Sequence, residues 1–253
     1  MPQTDAAAAA HDARLALDGL LTDAPALAAQ LPPGYLDRVE RFVTLLLEAN
    51  ARINLTRVVV PADVARLHLL DALAALPLLD AASIGPIIDL GSGGGVPAIP
   101  LALARPERSW TLVDSVAKKA AALRGMVDAL GLRGVQILAE RAEAIGRQPR
   151  HRERYAVATA RAVAPLPVLA ELALPLLRVG GTLVAWKGPL VEEDDEVRRG
   201  RAAIEQLGGD EPRLVDPGLP ALGGHRFVVA SKVRSTPARF PRRPGEPTRR
   251  PLA

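Results

Sequence analysis

The chain has 253 residues, 49% of them hydrophobic and 24% charged, which suffices for one sizeable core with an appendage. It contains no cysteine, which excludes disulfides, thiolate zinc sites and any cysteine nucleophile, including the thiol that pyrimidine C5 methylation ordinarily needs. The net charge of +4 is concentrated at one end: residues 234–253 carry Arg234, Arg239, Arg242, Arg243, Arg249 and Arg250 against Glu246 alone.

Residues 1–13 are alanine-rich and unpunctuated, and residues 14–30 are weakly helical, so 1–33 is expected to be a partly disordered extension. It has no basic start followed by a continuous apolar stretch, hence no signal-peptide pattern. Charges or prolines interrupt every apolar run, so no membrane span is expected and a cytoplasmic protein is the expectation. From Gly34 to Asn50, Leu36, Val39, Phe42, Val43, Leu46 and Leu47 recur at helical spacing. Pro61 then opens a second helix, through Val64, Leu67, His68 and Leu70 to about Leu79. Residues 34–82 therefore read as a helical cap.

Alternation follows. Strands are expected at 86–90, 109–114, 134–138, 155–160, 181–187 and 226–232, with a weaker one near 213–216. Helices are expected at 97–104, 116–130, 165–177 and 190–207. This pattern predicts an α/β domain over 83–233, a mostly parallel sheet wrapped on both faces and finished by an antiparallel hairpin. In such a sheet the ligand lies beyond the carboxyl ends of the strands. Residues 234–253 read as a basic Pro/Arg-rich tail, and Arg147, Arg150, Arg152 and Arg154 form a second basic cluster. Both suit phosphate backbones, with a solvated tail as the plain alternative.

One strand end stands out. Ile87-Ile88-Asp89-Leu90 runs into Gly91-Ser92-Gly93-Gly94-Gly95-Val96-Pro97, with glycine at four of five loop positions. Glycine there permits positive φ and lets a ligand lie against bare backbone. The dinucleotide fingerprint would need its third glycine at Val96. Gly91-x-Gly93-x-Gly95 after Asp89 instead resembles class I S-adenosylmethionine methyltransferases with their Rossmann-like fold. A dehydrogenase, or a mere tight turn, remains the alternative. Asp114 ends the next strand, placed either to accept ribose hydroxyls or to cap the helix that follows. His68 and Asp71, one helical turn apart, face either substrate or one another. The four histidines lack ligand spacing and no cysteine is present, so no metal site is expected.

Taken in order, Asn54-Leu55-Thr56, His68-Leu69-Leu70-Asp71, the glycine loop, Asp114-Ser115, Glu140-Arg141-Ala142-Glu143, Thr159-Ala160-Arg161-Ala162-Val163 and Trp186-Lys187-Gly188 resemble the glucose-inhibited division protein B family. These are the bacterial small-subunit ribosomal RNA guanine-N7 methyltransferases. The resemblance runs from about Asn50 to Pro189, with a further match at Phe240-Pro241-Arg242-Arg243-Pro244-Gly245. The chain departs from the pattern at Ala98, at Trp186 and in a small basic insertion at 147–154.

The resemblance implies that Gly91 and Val96 line the cofactor, that Ala142 and Glu143 flank its adenine, and that Arg161 lies against cofactor or target. Glu143 as a surface charge and Arg161 as a purely structural group are the alternatives. Lys187 is placed to meet an RNA phosphate, or else snorkels at a strand end. The implied partner is 16S ribosomal RNA or the small ribosomal subunit, held by Arg242, Arg243, Arg249, Arg250 and Lys187. Guanine N7 carries no proton, so positioning rather than acid–base chemistry is expected, with Arg161, Lys187, His68 and Asp71 as the candidate participants. The chain also lacks the Asn/Asp-Pro-Pro-aromatic motif that serves exocyclic amines. A methyltransferase for a small molecule or protein, and an RNA-binding protein with a vestigial pocket, are the rival readings.

Overall fold

The computed structural model describes residues 3–252. Seven strands form one sheet in the order β3-β2-β1-β4-β5-β7-β6. They are β1 (Ile87–Leu90), β2 (Trp110–Val113), β3 (Val135–Leu138), β4 (Tyr155–Arg161), β5 (Leu177–Lys187), β6 (Arg213–Val215) and β7 (Arg226–Ser231). β1 to β5 are parallel, and β7 runs antiparallel between β5 and β6. The chain leaves β1 toward β2 and β3, then returns to place β4 on the other side of β1. That reversal opens a crevice beyond the carboxyl ends of β1 and β4, where open α/β sheets take their ligands. The expected strands are all present, the weak one as β6. The helix expected at 165–177 stops at Ala173, because Pro175 cannot donate to continue it.

Alternate residues of the strands feed two apolar layers. Ile87, Leu112, Val184 and Val229 pack with helices Ala98–Ala104 and Ala117–Ala129 and with the N-terminal helices. Ile88, Val113, Leu183 and Val228 pack with helices Leu166–Ala173 and Asp195–Gln206. Helix Tyr35–Ile53 buries Val39, Phe42, Val43, Leu46 and Leu47, as its spacing predicts. The Tyr35 hydroxyl, whose burial pushes its pKa well up, donates to the carbonyl of Pro100 at 3.3 Å and ties the cap to the sheet's helical layer.

Both ends of the chain differ from expectation. Gln3–Thr22 is a single helix rather than a frayed extension. Ala6, Ala10, Ala13, Leu17 and Leu21, three or four residues apart, are all buried. Alanine gives little hydropathy contrast, so the stripe is faint in sequence, yet its small side chains let the helix lie close against its neighbours.

The tail, expected to be a free RNA-binding arm, folds back on the domain. Arg242 donates from its backbone N and its guanidinium to Glu171, which is fully buried, at 2.5–3.1 Å. Arg152 donates to the carbonyls of Phe240 at 2.6 Å and Thr236 at 2.8 Å. Phe240 and Pro247 are buried. Arg242 and Arg152 thus face inward as structural partners, which corrects their assignment to RNA, whereas Arg243, Arg249 and Arg250 stay exposed. The reason is electrostatic: a carboxylate buried on helix Leu166–Ala173 requires a cation, and the tail supplies it.

Removing one partner of a buried pair strands the other. Arg242→Ala is expected to cost about 3 kcal/mol, and Arg249→Ala less than about 0.5 kcal/mol. Urea unfolding of the two variants against the parent chain checks the difference.

Candidate active site in the crevice between β1 and β4

The glycine loop is clamped between two strands. Ser92 N donates to Val113 O at 2.9 Å, and Val113 N donates to Ser92 Oγ at 3.2 Å. Gly91, Gly93 and Gly95 all have positive φ, at 68°, 52° and 88°. A Cβ at Gly91 would meet Val163 at 2.8 Å, one at Gly94 would meet Leu46 at 2.8 Å, and one at Gly95 would meet Ile99 at 2.5 Å. At Gly93 the nearest atom would be Gly91 O, at 3.7 Å. Three glycines are therefore needed for packing, and Gly93 borders open space. That space is a cavity of about 190 Å³, lined by the loop, Val96, Thr56, His68, Lys119 and Arg161.

Asp114 anchors this loop. Its Oδ2 accepts from Gly93 N at 3.0 Å and its Oδ1 from Val116 N at 2.8 Å. This is a turn contact two residues on and not the helix cap, since Val116 itself precedes helix Ala117–Ala129 with no side-chain cap bond, and each oxygen retains a second acceptor site. Glu143 lies at the start of the short helix Ala142–Ile145 and is buried, so it is no surface charge. Its Oε1 accepts from Arg141 at 2.9 Å and from Gly245 N, in the tail, at 2.8 Å. Burial pushes its pKa up, but these hydrogen bonds win and hold it below the usual carboxylate range.

One acid not singled out beyond its motif, Asp89, and one histidine, His225, complete the crevice. Asp89 is fully buried; its Oδ1 accepts from Thr159 at 2.6 Å while Oδ2 has no partner among the described residues. Burial raises its pKa to about 6, against the opposing pull of Ser92, Thr159 and Arg161. The only advance signal for Asp89 was its place before the glycines, and Thr159 becomes visible only through the register Asp89↔Thr159.

The helical cap meets the sheet at Arg161. Val64–Leu70 is a π-helical turn between Pro61–Asp63 and Asp71–Leu73, where the sequence predicts plain α-helix. Such wide turns tend to occur at functional positions. It brings His68 and Asp71 not to each other but to the guanidinium. Arg161 donates to Leu67 O at 2.6 Å, Asp71 Oδ2 at 3.1 Å and His68 Nδ1 at 3.1 Å. A guanidinium cannot accept, so Nδ1 carries the lone pair and Nε2–H donates to Thr56 Oγ1 at 2.8 Å. Burial, helped by Arg161, depresses the His68 pKa to about 4, and the ring is neutral. Asp71 Oδ1 in turn holds His225 Nδ1 at 3.0 Å, and Trp186 Nε1 donates to Asp71 O at 2.9 Å.

On the far side of Arg161 lies a second cavity of about 470 Å³, lined by Val58, Trp186, Lys187 and His225 among others; it shares His68, Arg161 and Ala162 with the first. Ala162 adopts a φ of 54°, rare for a residue with a side chain. Lys187 corrects its expectation. Its Nζ donates to Ala164 O at 2.9 Å and to Glu196 at 2.6 Å, so it braces the wall instead of awaiting a phosphate. Among the described residues no cluster of side chains could hold a metal ion, and no helix is long and apolar enough to cross a membrane.

The family model for the rRNA small subunit methyltransferase G matches residues 36–213. A ribosomal RNA small subunit methyltransferase G from Deinococcus deserti is 45% identical over 234 residues, covering 92% of this chain and 95% of its own. One from a Roseiflexus species is 44% identical over 236 residues, covering 93% and 100%. Among solved structures, the S-adenosylmethionine-dependent methyltransferase SibL superposes with a TM-score of 0.54 at 14% identity, covering 79% of this chain and 76% of that one. Geranyl diphosphate C-methyltransferase from Streptomyces coelicolor, in complex with S-adenosyl-L-homocysteine, gives 0.50 at 16% identity, covering 68% and 83%. Those two share the fold, a Rossmann-like sheet of the class I type. With a matching family model over most of its length and relatives at this identity, the chain belongs to the small-subunit ribosomal RNA methyltransferase G family and is an S-adenosylmethionine-dependent methyltransferase.

Proposed function

We propose that this enzyme methylates N7 of a guanine in 16S ribosomal RNA, in the cytoplasm, with the RNA or the small ribosomal subunit as its partner. The observation that carries this reading is the pair of cavities divided by one wall of His68, Arg161 and Ala162. The glycine-loop cavity fits the cofactor, and the larger one, with Trp186 and His225 on its walls, fits a planar base that has left its stack.

The donor set suits a cationic nucleoside cofactor. Gly91, Gly93 and Val96 give it bare backbone, Asp114 offers acceptor sites to the ribose hydroxyls, and Ala142 and Glu143 bound the adenine end. Gly95 keeps the loop close to Ile99. The unpartnered oxygen of Asp89 supplies buried negative charge next to this loop. S-adenosylmethionine supplies a methyl group on a sulfonium sulfur, already a strong electrophile.

What remains for the chain is orientation and exclusion of water. Guanine N7 presents an in-plane lone pair and no proton, so no general base is required. Two of the candidates expected from the sequence are committed elsewhere: both nitrogens of His68 are hydrogen-bonded and Lys187 is paired with Glu196. Alignment alone supplies roughly 7–11 kcal/mol in favourable intramolecular cases. Arg161 serves this by fixing the cap over the crevice, and its inward hydrogen bonds leave it a positioning residue rather than a free stacking platform. Among the tail arginines, the exposed Arg243, Arg249 and Arg250 remain for RNA backbone.

Three measurements test the reading. Labelled methyl transfer to small subunits lacking their own modification, followed by nucleoside analysis, is expected to give 7-methylguanosine at one site; label in another nucleoside, or none in RNA, sinks it. Gly93→Ala should weaken S-adenosylmethionine binding at a stability cost of about 1–2 kcal/mol for its left-handed backbone. Gly95→Ala should lose more stability than that, through its clash with Ile99; titration and thermal unfolding separate the two. Cofactor affinity should hold steady above neutrality and decline as pH falls through about 6, because Asp89 then takes a proton and loses its charge. Asp89→Asn should bind weakly at every pH and show no such decline.

A further inference from the structure

At the opposite edge of the sheet from the crevice, where β1 to β4 begin, lies a cleft of about 430 Å³. Arg133, before β3, and Arg150 and Arg154, before β4, line it, and all three are exposed. No aspartate or glutamate lines this cleft. Among the described ion pairs the only carboxylate near these guanidinium groups is Glu140, 3.9 Å from Arg150 and already bonded to Gln148 at 2.7 Å.

The floor beneath them is rigid and polar. His151 and Tyr155 are joined by a 2.7 Å hydrogen bond with their rings stacked, and Gln136 donates to Thr111 at 2.7 Å beside them. Burial first, and then the field of Arg150 against the opposing pull of Glu140, hold His151 below its ordinary pKa.

Three cations sharing a cleft without a carboxylate repel one another and gather counterions. Planar guanidinium forks match phosphate oxygens, and each phosphate they neutralise releases those counterions. Both rings of the floor are buried. Bases therefore have nothing to stack on, and the contact would be with backbone, whatever the sequence. A four-residue strand spans about 13 Å, so β1 alone separates this cleft from the glycine loop by more than one nucleotide's reach. The two sites must hold different stretches of one folded RNA, passing around the edge strand β3.

We propose that this cleft is a second docking site for the phosphate backbone of the ribosomal RNA, remote from the target base. This rests on the RNA reading given above. The test uses the full chain and an Arg133→Ala/Arg154→Ala double variant. For each, affinity for protein-free small-subunit RNA is measured across a series of salt concentrations, alongside S-adenosylmethionine affinity and methyl transfer to assembled subunits.

The double variant should bind RNA roughly tenfold more weakly at low salt. The slope of log affinity against log salt should flatten by about one for each arginine removed. Cofactor affinity should not change, since both residues lie outside the crevice. An unaltered affinity and slope, with the parent chain binding normally, overturns this site alone. Loss of affinity confined to assembled subunits would assign the cleft to a ribosomal protein and overturn it as well. A parent chain that binds no RNA at all would overturn both this inference and the reading beneath it.

Discussion

The constraint on which the crevice depends is the half-buried guanidinium of Arg161. It projects from the end of the central strand β4 and cannot be left unpaired, because an ion in an apolar setting costs several kcal/mol. Its partners all come from the helical cap: Leu67 O, His68 and Asp71. The polar part of the cap's docking on the sheet therefore centres on this cation, and the wall between the two cavities is set by that docking. The chain of contacts continues outward, from His68 to Thr56 and from Asp71 to His225, which precedes β7. Elements distant in sequence are thus held by a single network whose every member is satisfied, and such networks fix geometry more than they add stability.

The same logic closes the other end of the crevice. Glu171 and Glu143 are buried acids, and the tail answers both, with Arg242 on the first and the backbone of Gly245 on the second. The distance between these duties is three residues of chain, so the clasp that secures the tail also fixes the wall near Glu143. A tail in this position cannot behave as an independent arm. Its exposed arginines are presented from a fixed surface, which lowers the ordering cost of meeting a backbone.

Much of this was legible in the sequence. Because buried parallel strands read as continuous apolar runs, alternating β and α periodicity placed the strands within a residue or so, except that β5 begins at Leu177, four residues ahead of its expected start. The glycine loop and Asp114 announced themselves by residue type. What stayed hidden depends on partners. The alanine stripe of Gln3–Thr22 has almost no hydropathy contrast, and its burial is decided by what packs on it. The π-helical turn at Val64–Leu70 carries no local signature. Lys187 and Arg242 are indistinguishable from free cations until Glu196 and Glu171 come alongside, and a linear charge count cannot place a carboxylate that arrives from a distant segment. Asp89 looked like a motif letter, and its unpartnered oxygen follows only from complete burial between Leu90 and Thr159.

Charge in this molecule is sorted by depth. The cofactor is a cation and the RNA is a polyanion, so a single electrostatic surface cannot attract both. Acids lie where water is excluded: Asp89 and Glu143 are buried at the strand ends, and Asp114 stands beside the loop. There the low dielectric strengthens their pull on a small cation. Arginines without carboxylate partners lie on the outside, in the tail and around the cleft below β1 to β4, where attraction to a polyanion acts over a screening length of about 10 Å. In the proposed transfer to N7, positive charge moves from the sulfur into the guanine ring. The buried acids remain within the same crevice as that charge moves, while Arg161, already neutralised by Asp71, adds no net repulsion to the wall it crosses.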